Sequence, residues 1–116
     1  MAGTRLVVVG QGYVGLALAV RAVEVGYDVV GYDVDGDRIK SLAAGQSFVE
    51  DVGDDALRAA LATGRYHPVA GFEDVEGFDV AVIAVPTPLR EGAPDLSYIE
   101  AAARSLAGLV EPGATV

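Results

Sequence analysis

An apolar run broken by three glycines governs what this chain can fold into: V-V-V-G-Q-G-Y-V-G-L, from Val7 to Leu16. Gly10, Gly12 and Gly15 fall where an extended apolar segment must turn into a helix. Gly10 permits the tight turn, Gly12 lets the backbone approach a pyrophosphate, and Gly15 allows helix and strand to pack closely. The helix that opens there aims its unpaired amides and the positive end of its dipole at an anion. The run therefore reads as a cradle for the phosphates of a dinucleotide.

The residues after the glycines decide how far that reading goes. An apolar helical pattern from about Val14 to Val25 stops at Gly26, and a second strand, Asp28 to Asp33, ends in a carboxylate. Asp33 stands 18 residues after Gly15, near the roughly 20 expected of the acid that binds an adenosine ribose. A carboxylate there accepts hydrogen bonds from both ribose hydroxyls and repels a 2′-phosphate, which favours NAD over NADP. Val34, the next residue, brings no guanidinium to neutralise an extra phosphate. The plainer alternative is an α/β sheet in which the glycine turn and Asp33 are merely structural.

With 116 residues the chain has the length of one domain, able to bury roughly two thirds of its unfolded surface. Hydrophobic content of 52% with 15 glycines suits an α/β protein with many short turns. No apolar run reaches the 18 or so residues of a membrane span. A net charge of −9 without a basic cluster argues against a nucleic-acid partner. The absence of cysteine excludes a disulfide framework, a thiolate nucleophile and a Cys-ligated metal. Met1 to Arg5 lead straight into the first strand with no signal-type leader, so the expected location is the cytoplasm.

The first strand, about Leu6 to Val9, is apolar on successive residues, as a parallel strand covered on both faces should be. After the second strand, Asp35 is placed to cap a helix of about Gly36 to Ala44, which Gly45 stops. The acidic stretch Glu50 to Asp55 lacks the spacing and closing glutamate of a calcium loop. It reads better as a loop leading to a helix of about Asp55 to Thr63, ended by Gly64. No metal site is expected. Arg65 to Phe72 contains Pro68, which lacks an amide donor and suits an edge strand or the first residue of a strand, and His67 beside it, with no acid near it in sequence, reads as a surface histidine.

A continuous apolar strand returns at Asp79 to Val85 and stops at Pro86-Thr87-Pro88. Ligands of a doubly wound sheet sit beyond the carboxyl ends of the strands, so the loop after this one should lie near the dinucleotide. Thr87 brings a hydroxyl between two prolines; the alternative is a rigid turn without ligand contact. A loop through Gly92 and Pro94 leads to a helix with two start signals, Asp95 and a Ser97–Glu100 capping box, which continues through Ala101, Ala102, Leu106, Leu109 and Val110. Pro112-Gly113 then turns the chain into what reads as the beginning of a fifth strand, Ala114 to Val116. The expected fold is a Rossmann-like doubly wound parallel α/β sheet spanning 1–116 as one dinucleotide-binding domain, an N-terminal fragment truncated in that strand.

Four blocks, G-Q-G-Y-V-G-L at Gly10 to Leu16, G-Y-D-V-D at Gly31 to Asp35 with Arg38 just beyond, A-V-P-T-P-L at Ala84 to Leu89, and P-D-L-S-Y-I-E-A-A at Pro94 to Ala102, resemble the N-terminal domain of the UDP-glucose/GDP-mannose dehydrogenase family. Members oxidise the C6 alcohol of a nucleotide sugar to a carboxylate with two NAD. Ser47 to Val52 looks more like the UDP-N-acetyl-hexosamine branch than the UDP-glucose branch. The resemblance implies that Tyr13 and Val14 meet the pyrophosphate through backbone, that Asp33 binds the adenosine ribose, and that Arg38 flanks the adenosine end. It implies further that Val85, Pro86 and Thr87 approach the cofactor after the strand that begins at Asp79. Family members complete the oxidation through a cysteine, with lysine, asparagine and acid residues in later segments. With zero cysteines this chain is expected to be inactive by itself, to act on a UDP-sugar only as part of a longer protein, and in that form to be a homo-oligomer. Two alternatives share its first motifs: an NAD- or nucleotide-sensing regulatory domain of a channel or transporter, and another NAD-dependent hydroxy-acid or acyl dehydrogenase. Neither requires the P-T-P-L turn and the P-D-L-S-Y helix start.

Overall fold

A computed structural model describes residues 4–71, 75, 77–85, 89–94, 96–109 and 112–116. Strands β1 (Arg5–Val9), β2 (Asp28–Tyr32), β3 (Tyr66–Val69) and β4 (Val80–Ile83) form one sheet in the order β3-β2-β1-β4. Every pairing in it is parallel, with Val7 opposite Val30 on one side and Ala81 on the other. Helix α1 (Tyr13–Glu24) crosses from β1 to β2, and α2 (Gly36–Ala43) with α3 (Asp54–Ala62) from β2 to β3.

Alternate residues of β1 serve two cores, which is why its sequence is apolar without a break. Leu6 and Val8 pack with Leu16 and Ala19 of α1, Leu42 of α2 and Leu57 of α3. On the other face, Val7 and Val9 pack with Val30, Phe78 and the residues Ala102 and Leu106 of helix α4 (Ser97–Ala107). Helices thus cover both faces, the doubly wound arrangement expected. The side chain of a wholly buried leucine such as Leu16 or Leu57 contributes about 1.5–3 kcal/mol relative to exposure.

Gly26, Gly45 and Gly64 each stand two residues past the end of a helix, at the positions where the sequence expects α1, α2 and α3 to stop. Asp35 caps α2, its Oδ1 accepting from the N–H groups of Asp37 and Arg38 at 3.1 and 3.2 Å. Pro68 lies in β3, at the sheet edge, where a missing donor costs nothing. A parallel bridge joins Thr115 to Val80, with Thr115 donating to Asp79 O at 2.9 Å and accepting from Ala81 N at 2.8 Å. A single bridge thus forms beside β4 where 114–116 is expected to start a strand.

Two details differ from the sequence reading. Ser97 is the first residue of α4 and Leu96 holds the cap position, so the expected Ser97–Glu100 capping box is out of register by one. The stretch around Gly92 is a hairpin of β5 (Leu89–Arg90) and β6 (Ala93–Pro94), turned by Glu91 and Gly92 at φ +53° and +81°, the left-handed pair of a type I′ turn. His67 is exposed, as a surface histidine should be, and Asp28 on the adjacent strand puts its Oδ1 3.1 Å from His67 Nε2. Phe72, Asp95 and Val110 lie outside the described residues.

Candidate functional site

Gly10 is wedged between the ends of two strands. Its N–H donates to Tyr32 O at 2.7 Å, and a Cβ built on it would stand 2.5 Å from Ala84 O. Its φ of +101° is also one that side chains resist. Gly15 has a different necessity, since a Cβ there would collide with the Gly10 carbonyl oxygen. Gly12 has neither: its φ is −82°, and nothing lies within 4 Å of where its Cβ would be. The fold itself therefore does not crowd Gly12, and the space beside it is open.

Helix α1 starts at that space. It has no side-chain cap and no acidic residue in its first turn, whereas α2 is capped by Asp35 and α3 carries Asp54 and Asp55 at its start. Tyr13 and Val14 are largely exposed, at 63% and 71%, so the amide-bearing first turn is open from outside. An uncapped helix start beside a glycine clearing suits a diphosphate in both charge and shape.

Asp33 is 7% exposed and stands at the same turn. Its Oδ2 accepts from the Gln11 N–H at 2.8 Å and its Oδ1 from the Asp35 N–H at 2.9 Å. Arg38 Nη1 lies 3.3 Å from Oδ2, while the Arg38 guanidinium sits 4.5 Å above the Phe48 ring. These contacts leave part of the lone-pair capacity of a carboxylate free. Beyond Asp33 opens a largely apolar cleft of about 380 Å³ whose lining includes Gly10, Asp33, Arg38, Val85, Tyr98 and Ala102. It lies past the carboxyl ends of β1, β2 and β4, where strand order reverses direction around β1 and where such sheets bind ligands.

Residues 4–116 match the UDP-glucose/GDP-mannose dehydrogenase family, NAD binding domain. The chain belongs to this family. It is similar to UDP-N-acetyl-D-mannosamine dehydrogenase of Pyrococcus horikoshii, with 40% identity over 97% of this chain and 27% of that protein. The structure of that archaeal enzyme superimposes with a TM-score of 0.91 at 39% identity, over 96% of this chain and 27% of the other. UDP-glucose 6-dehydrogenase of Rhizobium meliloti is 40% identical over 89% of this chain and 24% of its own length. The chain thus spans about a quarter of the length of these dehydrogenases, and the cofactor that goes with the family's domain is NAD.

Of the residues singled out in the sequence, Gly10, Asp33, Arg38 and Val85 meet in the cleft. Gly12, Tyr13, Val14 and Gly15 form the turn and helix start beside it. Pro86 and Thr87 lie outside the described residues. Sequence reasoning misses three participants: Gln11, Tyr66 and Phe48. A glycine inside the apolar strand β2, Gly31, is the available signal for the first two, because strand glycines mark close approaches. Nothing in the spacing points to Phe48. Within the acidic stretch, Asp54 Oδ1 accepts from the Ser47 N–H at 2.8 Å, and Asp54 and Asp55 open α3. Among the described residues no three His, Asp or Glu side chains gather as a metal site, and no helix is long and apolar enough to cross a membrane.

Proposed function

We propose that this chain is the NAD-holding part of a nucleotide-sugar 6-dehydrogenase, which oxidises the C6 alcohol of a UDP-sugar to a carboxylate with two NAD. When bound, the dinucleotide supplies a nicotinamide ring that accepts hydride. The amides at the start of α1 hold the diphosphate, Gly12 gives it room, and Gly10 and Gly15 keep the turn tight. Asp33 accepts from the adenosine ribose hydroxyls and selects against a 2′-phosphate. Arg38 flanks the adenosine end, braced by Phe48, and Val85 closes the apolar wall. Pro86 and Thr87, which follow β4 in the sequence, are given contact with the cofactor by the family resemblance alone.

The observation that carries this reading is the pairing of Asp33 with the glycine turn: the carboxylate is bonded to the turn's own backbone at 2.8 Å. Ser47 to Val52, and a match to a UDP-N-acetyl-D-mannosamine dehydrogenase that extends over 97% of this chain against 89% for the UDP-glucose enzyme at the same identity, support a UDP-N-acetyl-hexosamine as the sugar. A chain without cysteine has no thiol for covalent capture of an aldehyde, so the chemistry belongs to other segments of the parent, a homo-oligomer of the cytoplasm. Calorimetric titration with NAD and NADP tests the assignment. Saturable NAD binding with weaker NADP binding is expected, together with no NADH production from UDP-sugars by the 116-residue chain. Equal affinity for both dinucleotides would remove the role given to Asp33, and turnover would remove the division of labour.

A further inference from the structure

Gln11 sits between two of the turn glycines, yet its side chain is fully buried, at 0% exposure. Its Nε2 donates to Gly10 O at 2.9 Å and to Val8 O at 3.2 Å, and its Oε1 accepts from the Tyr66 hydroxyl at 2.7 Å. The amide orientation is thereby determined, because turning it over would set its oxygen against two carbonyl oxygens. Tyr66 is itself 3% exposed and belongs to β3, which does not touch β1. The two side chains meet by crossing β2 at Gly31, where a Cβ would stand 2.7 Å from Gln11 Cδ and 2.9 Å from Tyr66 Cε1. Three strands are therefore tied together at one point beneath the glycine turn.

We infer that the Gln11–Tyr66 hydrogen bond is a positioning strut for cofactor binding: it fixes the backbone at Gln11 and, through the Gln11 N–H, the orientation of the Asp33 carboxylate. A buried amide and phenol add little net stability over an apolar pair of the same shape. What a fully satisfied polar pair gives is direction, since it holds its groups in a single arrangement. The group held here carries the bond from Gln11 N–H to Asp33 Oδ2. Burial first, and the charge of Asp33 second, raise the Tyr66 pKa, so the phenol keeps the proton it donates. Gln11 and Tyr66 touch no ligand in this scheme; they act through the turn and Asp33. The inference rests on the NAD-binding reading given above.

The test is a double-mutant cycle on NAD affinity, measured by calorimetry on wild type, Tyr66→Phe, Asp33→Asn and the double variant, each first verified as folded by circular dichroism. Tyr66→Phe is expected to weaken NAD binding about tenfold in the wild-type background. In the Asp33→Asn background, where the carboxylate being oriented is gone, the same change should cost less than about threefold. Unchanged NAD affinity in folded Tyr66→Phe overturns the strut, and so does an equal loss in both backgrounds, the signature of general loosening. Should Tyr66→Phe fail to fold, Gln11→Leu/Tyr66→Phe removes both partners of the buried bond and is judged by the same two criteria. A wild-type chain with no NAD affinity would overturn the binding reading itself, and the strut with it.

Discussion

The main-chain N–H of Gln11 donates to Oδ2 of Asp33 over 2.8 Å, joining residues 22 positions apart in the chain. This bond makes the glycine turn and the residue after β2 one unit. The spacing of Asp33 behind the glycine turn then has a mechanical cause beside the ligand-derived one proposed for it.

Asp33→Ala should weaken NAD binding by roughly 1 to 3 kcal/mol, the scale of hydrogen bonds to a charged group. The variant also deprives Gln11 and Asp35 of their acceptor, so its melting temperature should fall. Titration calorimetry with NAD checks the first effect, and unchanged affinity contradicts the ribose contact.

Substituting alanine at two glycines of one turn should separate folding from binding. Gly12→Ala meets no atom within 4 Å, so thermal stability should stay near wild type while NAD affinity falls about tenfold or more. Gly15→Ala drives a methyl into the Gly10 carbonyl and should destabilise the fold by about 1–3 kcal/mol. Urea unfolding alongside calorimetry distinguishes the two; a Gly12→Ala chain with full NAD affinity contradicts the diphosphate site.

Asp35 lies two residues from Asp33 but has a structural duty, accepting from Asp37 and Arg38 at the start of α2. Asp35→Ala should cost about 1 kcal/mol of stability, with less effect on NAD affinity than Asp33→Ala. A shift of the urea midpoint measures it.

Tyr66 makes stability depend on alkaline pH. Its pKa is raised from an ordinary value of 10.0, chiefly by burial, so above about pH 10 the unfolded chain releases a proton that the folded one keeps. That contribution is complete below about pH 10 and is lost as pH rises further, at up to about 1.4 kcal/mol per pH unit for one proton. Urea melts between about pH 9 and 12 should show a steeper decline for wild type than for Tyr66→Phe. Parallel declines contradict the buried phenol.

The parts of this molecule that local chemistry decides are readable from the chain alone. Unbroken valines announce a two-faced strand, Asp35 announces a cap, and Gly10, Gly12 and Gly15 with Asp33 announce the turn and its acid. Contacts that depend on strand register are not readable. Tyr66 meets Gln11 across 55 residues and His67 meets Asp28 across 39, and each pairing exists only because β3 lies beside β2 in one particular alignment. The family resemblance singles out Arg38 for the adenosine end, but its stacking on Phe48 depends on how the loop after α2 folds back.

In a chain of net charge −9, the first turn of α1 contains no acidic residue. A negatively charged dinucleotide is therefore repelled at long range and attracted only over the last few ångströms. Such a molecule should capture its ligand faster as moderate salt is added, because screening beyond about 10 Å removes the distant repulsion before it weakens contacts at the turn.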